Sequence, residues 1–107
     1  LKAPYPARWI ECDISKEIPD LSSHQIDAVF HLAGENVGDK NWSADQKEKI
    51  LASRTQGTQK LIEALSSQKN LKTFIGASAI GFYGATSSEE AVRETAPAGS
   101  GFLAEVT

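Results

Sequence analysis

Two nearly continuous apolar runs, DAVFHLAG (27–34) and LKTFIGAS (71–78), flank a stretch in which apolar positions recur every three or four residues. Apolar runs of this length, without polar alternation, mark strands covered on both faces, as in parallel sheets. Between the runs, Ser43 and Gln46 stand at capping-box spacing. From there the pattern predicts a helix over 43–67, with Gly57 as its one weak point. Strand, loop, helix, strand is a βαβ unit, which joins two parallel strands by a crossover. Upstream, ARWIECDI (7–14) predicts a short strand over 8–13, because Trp9, Ile10 and Ile14 are good strand formers. SKEIPDLSSHQ is polar, carries Pro19, and reads as a connection with one helical turn. Beyond the second run, ATSSEEAVRETAPAGSG reads as a loop, with Ser88-Glu89-Glu90 solvated, and FLAEVT as the opening of another helix. The pattern places the chain in the α/β class, which hosts many functions.

Two local features carry candidate chemistry. In FIGASAIGFYG (74–84) the small residues Gly76, Ala77, Ser78, Ala79 and Gly81 follow a strand, where they permit close approach to the backbone. In the helix, Arg54, Thr58, Leu61 and Leu65 share one face. The leucines must meet the sheet, so Arg54 points inward as well. An inward guanidinium requires an anionic partner or a route to water. One reading is an ion pair with Asp27 or Glu35, or snorkelling to the rim. The other is a ligand phosphate or carboxylate, gripped by two parallel hydrogen bonds. Spacing alone leaves both open.

Composition narrows the partners. With 107 residues the chain is long enough for one small domain. A net charge of -3 gives no reason to expect a nucleic-acid partner, and no apolar run approaches membrane-span length. Cys12 is the only cysteine, so no internal disulfide forms, and the thiol reads as a small core residue in a reducing compartment. The chain has no methionine, which reads as the mark of a piece of something longer. His31, inside a strand, reads as a hydrogen-bonded core residue and His24 as solvated. No cluster has metal-ligand spacing. Trp42 reads either as a hydrophobic staple at the helix start or as a wall of a ligand crevice.

CDIS, FHLAG, SRTQGTQKLIEAL and FIGASAIGFYG occur in the order and spacing of the extended short-chain dehydrogenase/reductase superfamily, which the chain resembles. It is closer still to the "epimerase family protein" branch, which is NAD-dependent epimerase/dehydratase-like. That branch is similar in HLAGEN followed by a Trp-Ser helix start, in SR…GT, and in FLAEV after an acidic loop. The resemblance implies a Rossmann-type doubly wound parallel sheet, with residues 1–107 forming part of one NAD(P)-binding domain. The chain would hold strands three to five and the connecting helix. The glycine-rich phosphate loop and the substrate region would lie outside it. A piece of this kind would leave strand edges and apolar faces open, so it is expected to be weakly stable or to self-associate.

The resemblance also implies site residues. Asp13 and Ile14 match the pair that holds adenine, through the carboxylate and the backbone amide. The residue pattern by itself reads Asp13 as a turn or cap residue. Leu32, Ala33 and Gly34 match the stretch whose backbone lies against the adenosine ribose and pyrophosphate, and Glu35 follows at the strand's carboxyl end. Arg54 falls where many extended members carry Asn at the active-site end, which favours a ligand over an ion pair. Ala77, Ser78 and Ala79 line the cofactor where strand five ends. The catalytic hydroxyl four residues before the Tyr of YG falls on Ala79, with Ser78 one step earlier. The Tyr of the Tyr-x-x-x-Lys motif falls on Phe102 or Leu103. Ser78 and Tyr83 are the hydroxyls left to consider for catalysis. The expected function is an NAD(P)-dependent oxidoreductase or epimerase-like activity on a small molecule, with NADP ahead of NAD, in the cytoplasm or an organelle. The alternative is a dinucleotide-binding protein without catalysis.

Overall fold

A computed structural model describes residues 6–38, 41–85 and 91–107. The acidic run Ser88-Glu89-Glu90 lies outside the described residues. The two apolar runs form strands β1 (Ala28–His31) and β2 (Thr73–Gly76), paired in parallel with Ala28 opposite Thr73 and His31 opposite Gly76. Backbone bonds extend the ladder at both ends: Lys72 N donates to Asp27 O at 2.8 Å and Ala77 N to His31 O at 3.0 Å.

Helix α1 (Ala44–Leu65) makes the crossover, close to the bounds the pattern predicts. Ser43 is its N-cap, the hydroxyl accepting from Gln46 N at 3.2 Å. The reciprocal half of the capping box is not made. Ser43 N donates to Asn41 O, and the Gln46 side chain turns away to Glu35. Among the described residues Ile50, Leu65 and Val106 are the buried hydrophobic side chains, and two of them lie on α1.

The strand expected over 8–13 is not formed. These residues carry no ladder, and Trp9 and Ile10 are exposed. A strand exists by pairing, and among the described residues the sheet has two strands and no third neighbour for this segment. The chain instead turns at 13–17, where Lys16 N and Glu17 N both donate to Asp13 O. The turn docks on α1: Ile14 packs at Gly57, and Lys60 Nζ donates to Ser15 O at 2.8 Å. Gly57, the weak point of the helix pattern, is therefore where this turn approaches α1. Gln68 ties down the next stretch, donating to Leu21 O and accepting from Ile26 N.

The apolar runs are not covered on both faces either. Val29 and His31 turn toward α1, and His31 Nε2 is 2.9 Å from Thr58 Oγ1. On the opposite face Phe30, 68% exposed, stands beside Ile75, 44% exposed. No element among the described residues packs there, so one side of the sheet is open.

After β2 the chain makes a short 3-10 helix (Ile80–Tyr83), and helix α2 (Phe102–Val106) returns against it. Gly99 N donates to Phe82 O, and a Cβ on Gly99 would run into the Tyr83 carbonyl, so only glycine permits this crossing. On its other side α2 meets the start of α1. Phe102 is edge-on to Trp42 at 5.4 Å, with Lys47 Nζ 5.3 Å from its ring centre. Trp42 thus packs at the helix start, as a staple does, with the partner supplied by α2.

Candidate functional site

Two clefts open at the carboxyl ends of the strands. The first, about 650 Å³, lies between the 12–16 turn, the 33–35 segment after β1, and Lys49, Ala52 and Ser53 of α1. The second, about 590 Å³, lies between His31–Ala33, Arg54 and Thr58 of α1, Ala77–Ala79 after β2, and Leu103 and Val106 of α2. Ala33 borders both. In an open α/β sheet this end is where ligands bind, because strand ends and helix starts leave backbone groups facing one crevice.

Most of the residues singled out in the sequence come together here. Asp13, Ile14, Gly34 and Glu35 border the first cleft, and Leu32, Arg54, Ala77, Ser78 and Ala79 the second. Tyr83 borders neither. Its ring sits edge-on to Phe82 at 5.2 Å, and its carbonyl meets Gly99.

Arg54 points inward, as the helical spacing requires. It forms no ion pair with Asp27 or Glu35. Nη1 donates instead to the Glu35 carbonyl at 3.0 Å and the Ile50 carbonyl at 3.2 Å. Asp27 stands 4.0 Å from Lys72 Nζ. No Asp or Glu lies among the residues that border the second cleft. The guanidinium also lies over Gly34, where a Cβ would be 3.0 Å from Cζ. Arg54 and any side chain at position 34 compete for one space.

Asp13 works within its turn. Oδ1 accepts from Ser15 N at 3.1 Å and Ser15 Oγ at 2.6 Å, while Oδ2 pairs with Lys16 Nζ at 2.7 Å. The Lys16 hydrogen bond, with those from Ser15, lowers its pKa to about 2. Its neighbour Cys12 has its thiol pKa raised, first by burial and then by the charge of Glu17, which leaves it a poor nucleophile.

Glu35 is held from α1. Its N–H donates to Ser53 Oγ at 2.9 Å, and its Oε1 accepts from Gln46 Nε2 at 3.2 Å. Ser53, Lys49 and Val106 were not singled out in the sequence, where Gln46 was read only as a capping residue and Leu103 only as a position for the motif tyrosine. The signal for Gln46 and Ser53 was present: Gln46, Ile50, Ser53 and Gly57 recur at helical spacing and extend the inward face by two turns. The α2 residues reach the cleft only through the crossing at Gly99, which has no periodic signature. Among the described residues no group of His, Cys, Asp and Glu could hold a metal ion, and no helix is long and apolar enough to cross a membrane.

Residues 2–101 match the sequence profile of the NAD dependent epimerase/dehydratase family. An epimerase family protein of Mycobacterium leprae is 42% identical over 81 residues, which cover 76% of this chain and 26% of that protein. One of Mycobacterium bovis is 35% identical over 104 residues, covering 94% of this chain and 34% of its own length. One of Staphylococcus saprophyticus is 37% identical over 76 residues, 70% of this chain and 24% of that protein. The chain spans between about a quarter and a third of the length of these relatives. The parallel strand pair, its crossover helix and the crevice at the strands' carboxyl ends are those of a Rossmann-type α/β sheet. By its profile and by its relatives, the chain belongs to the NAD dependent epimerase/dehydratase family.

Proposed function

We propose that this chain carries part of a nicotinamide-dinucleotide site in an oxidoreductase or epimerase acting on a small molecule. The observation that carries the reading is the pair of clefts meeting at Ala33, beside the bare backbone of Gly34 and the inward Arg54. A dinucleotide has two nucleoside halves joined by a charged bridge, and the clefts have that layout. Ala33, Gly34, Ala77 and Ala79 fit such a ligand, because branched side chains there would hold it off the backbone.

In this reading Asp13 and Ile14 take the adenine, and the 32–35 segment lies along its ribose and the pyrophosphate. Arg54 holds a phosphate or ribose at the junction, and Ala77, Ser78 and Ala79 border the nicotinamide end. Bound there, the cofactor supplies hydride transfer. Ser78, which borders the second cleft, is the hydroxyl we place beside that chemistry. Tyr83, which borders neither cleft, receives no proton-transfer role. We assign a nicotinamide dinucleotide and a cytoplasmic setting, the latter because a lone cysteine suits a reducing compartment.

The test is a titration of NADP and NAD into the full-length protein, wild type and Arg54→Lys, followed by protein fluorescence at fixed salt. Lysine keeps the charge and loses the planar fork. Loss of one charge-assisted contact should cost about 1.5–3 kcal/mol, about tenfold or more in affinity. Unchanged affinity with lowered stability would make Arg54 a purely structural cap on the Glu35 and Ile50 carbonyls.

A further inference from the structure

Gln46 is the one buried polar side chain among the described residues, 5% exposed. A buried amide is kept only where it finds partners. Its Nε2 donates to Glu35 Oε1 at 3.2 Å. The Glu35 backbone is pinned separately, its N–H on Ser53 Oγ and its carbonyl on Arg54 Nη1. Ser53 is itself fixed by donating to Ile50 O at 2.8 Å. Backbone and side chain of Glu35 are thus held from one face of α1. Among the described residues, Gln46 alone orients the carboxylate.

Glu35 borders the first cleft, and a carboxylate accepts up to about four hydrogen bonds. The cleft's other charged residues are Asp13, Lys16 and Lys49. Lys16 pairs with Asp13, and Lys49 with Asp45. Both ammonium groups are thus already paired, which leaves the Glu35 carboxylate to neutral donors, and a vicinal diol offers a carboxylate two hydroxyls. We propose that Gln46 is a positioning residue that aims the Glu35 carboxylate into the first cleft, where it accepts from the ribose hydroxyls of the bound ligand. This rests on the dinucleotide reading of the site.

The experiment titrates ADP and 2′,3′-dideoxy-ADP into the full-length protein as wild type, Gln46→Met, Gln46→Leu, Glu35→Ala and the Glu35→Ala/Gln46→Met double variant. Wild type should prefer ADP by about tenfold. Both Gln46 variants should lose most of that preference by weakening ADP and leaving the dideoxy analogue unchanged. The double variant should lose no more than Glu35→Ala alone. The ratio of two affinities on one protein does not follow stability, so a structural role alone would not move it. A retained preference in either Gln46 variant, or equal weakening of both nucleotides, overturns the proposal. Absence of ADP binding by wild type overturns the dinucleotide reading, and this proposal with it.

Discussion

Both oxygens of the Asp13 carboxylate are engaged in its own turn, Oδ1 by Ser15 and Oδ2 by Lys16. With a folded pKa of about 2, set chiefly by the Lys16 hydrogen bond, Asp13 lies below its unfolded value. The sign follows: the turn's contribution is complete above the unfolded carboxylate range and is lost as pH falls through about 2. A carbon-detected NMR titration should find this carboxyl ionised at pH 3, and Lys16→Ala should raise its midpoint toward the ordinary range. A midpoint unmoved by that substitution would reassign the cause to Ser15. The Asp-x-Ser spacing made the turn legible, whereas the adenine role came only from resemblance. Arg54 divides in the same way. Its inward direction followed from sharing a face with Thr58, Leu61 and Leu65. Its partners did not follow, because they are the carbonyls of Glu35 and Ile50. Every residue carries a carbonyl, so a carbonyl partner leaves no mark in the sequence.

Helix α1 was legible nearly to its ends, from a cap at Ser43 and one sustained apolar face. Its weak point, Gly57, is open to a direct test. A Cβ there would meet Ile14 Cδ1 and Cγ1 at 3.5 Å, an ordinary contact. Gly57→Ala should therefore keep the 13–17 turn in place and gain about 0.5–1 kcal/mol of helix stability. The reading is a higher midpoint in thermal denaturation followed by circular dichroism. A lower midpoint would mean that the turn cannot yield even to a methyl group. The segment 8–13 was misread for a reason that belongs to strands in general. A helix satisfies its hydrogen bonds within itself, so its sequence nearly suffices. A strand satisfies them with a neighbour, and the residues of 8–13 say nothing about whether one is there.

Taken whole, the chain buries little. Ile50, Leu65 and Val106 are its buried hydrophobics among the described residues, while Leu32 is 73% and Ile80 89% exposed. Its radius of gyration is 16.6 Å, against about 13 Å for a compact domain of about 100 residues. The polypeptide alone should therefore self-associate or unfold over a broad temperature range. Sedimentation velocity across a concentration series, with a parallel thermal melt, reads this out. A monomer with one sharp, cooperative transition would overturn it. The apolar runs disclosed which residues want cover, and the βαβ order disclosed how the strands pair. Neither disclosed that Phe30 and Ile75 would face solvent, since the pattern records a demand and not its fulfilment. The topology also has a history in time. β1 and β2 are joined only through α1, and parallel strands cannot meet through a tight turn. The long chain closure must come before the ladder rewards it, so the pairing should be a late event and a slow one. Changes that strengthen α1 should then hasten folding, whereas changes confined to β2 should mainly set how long the folded chain survives.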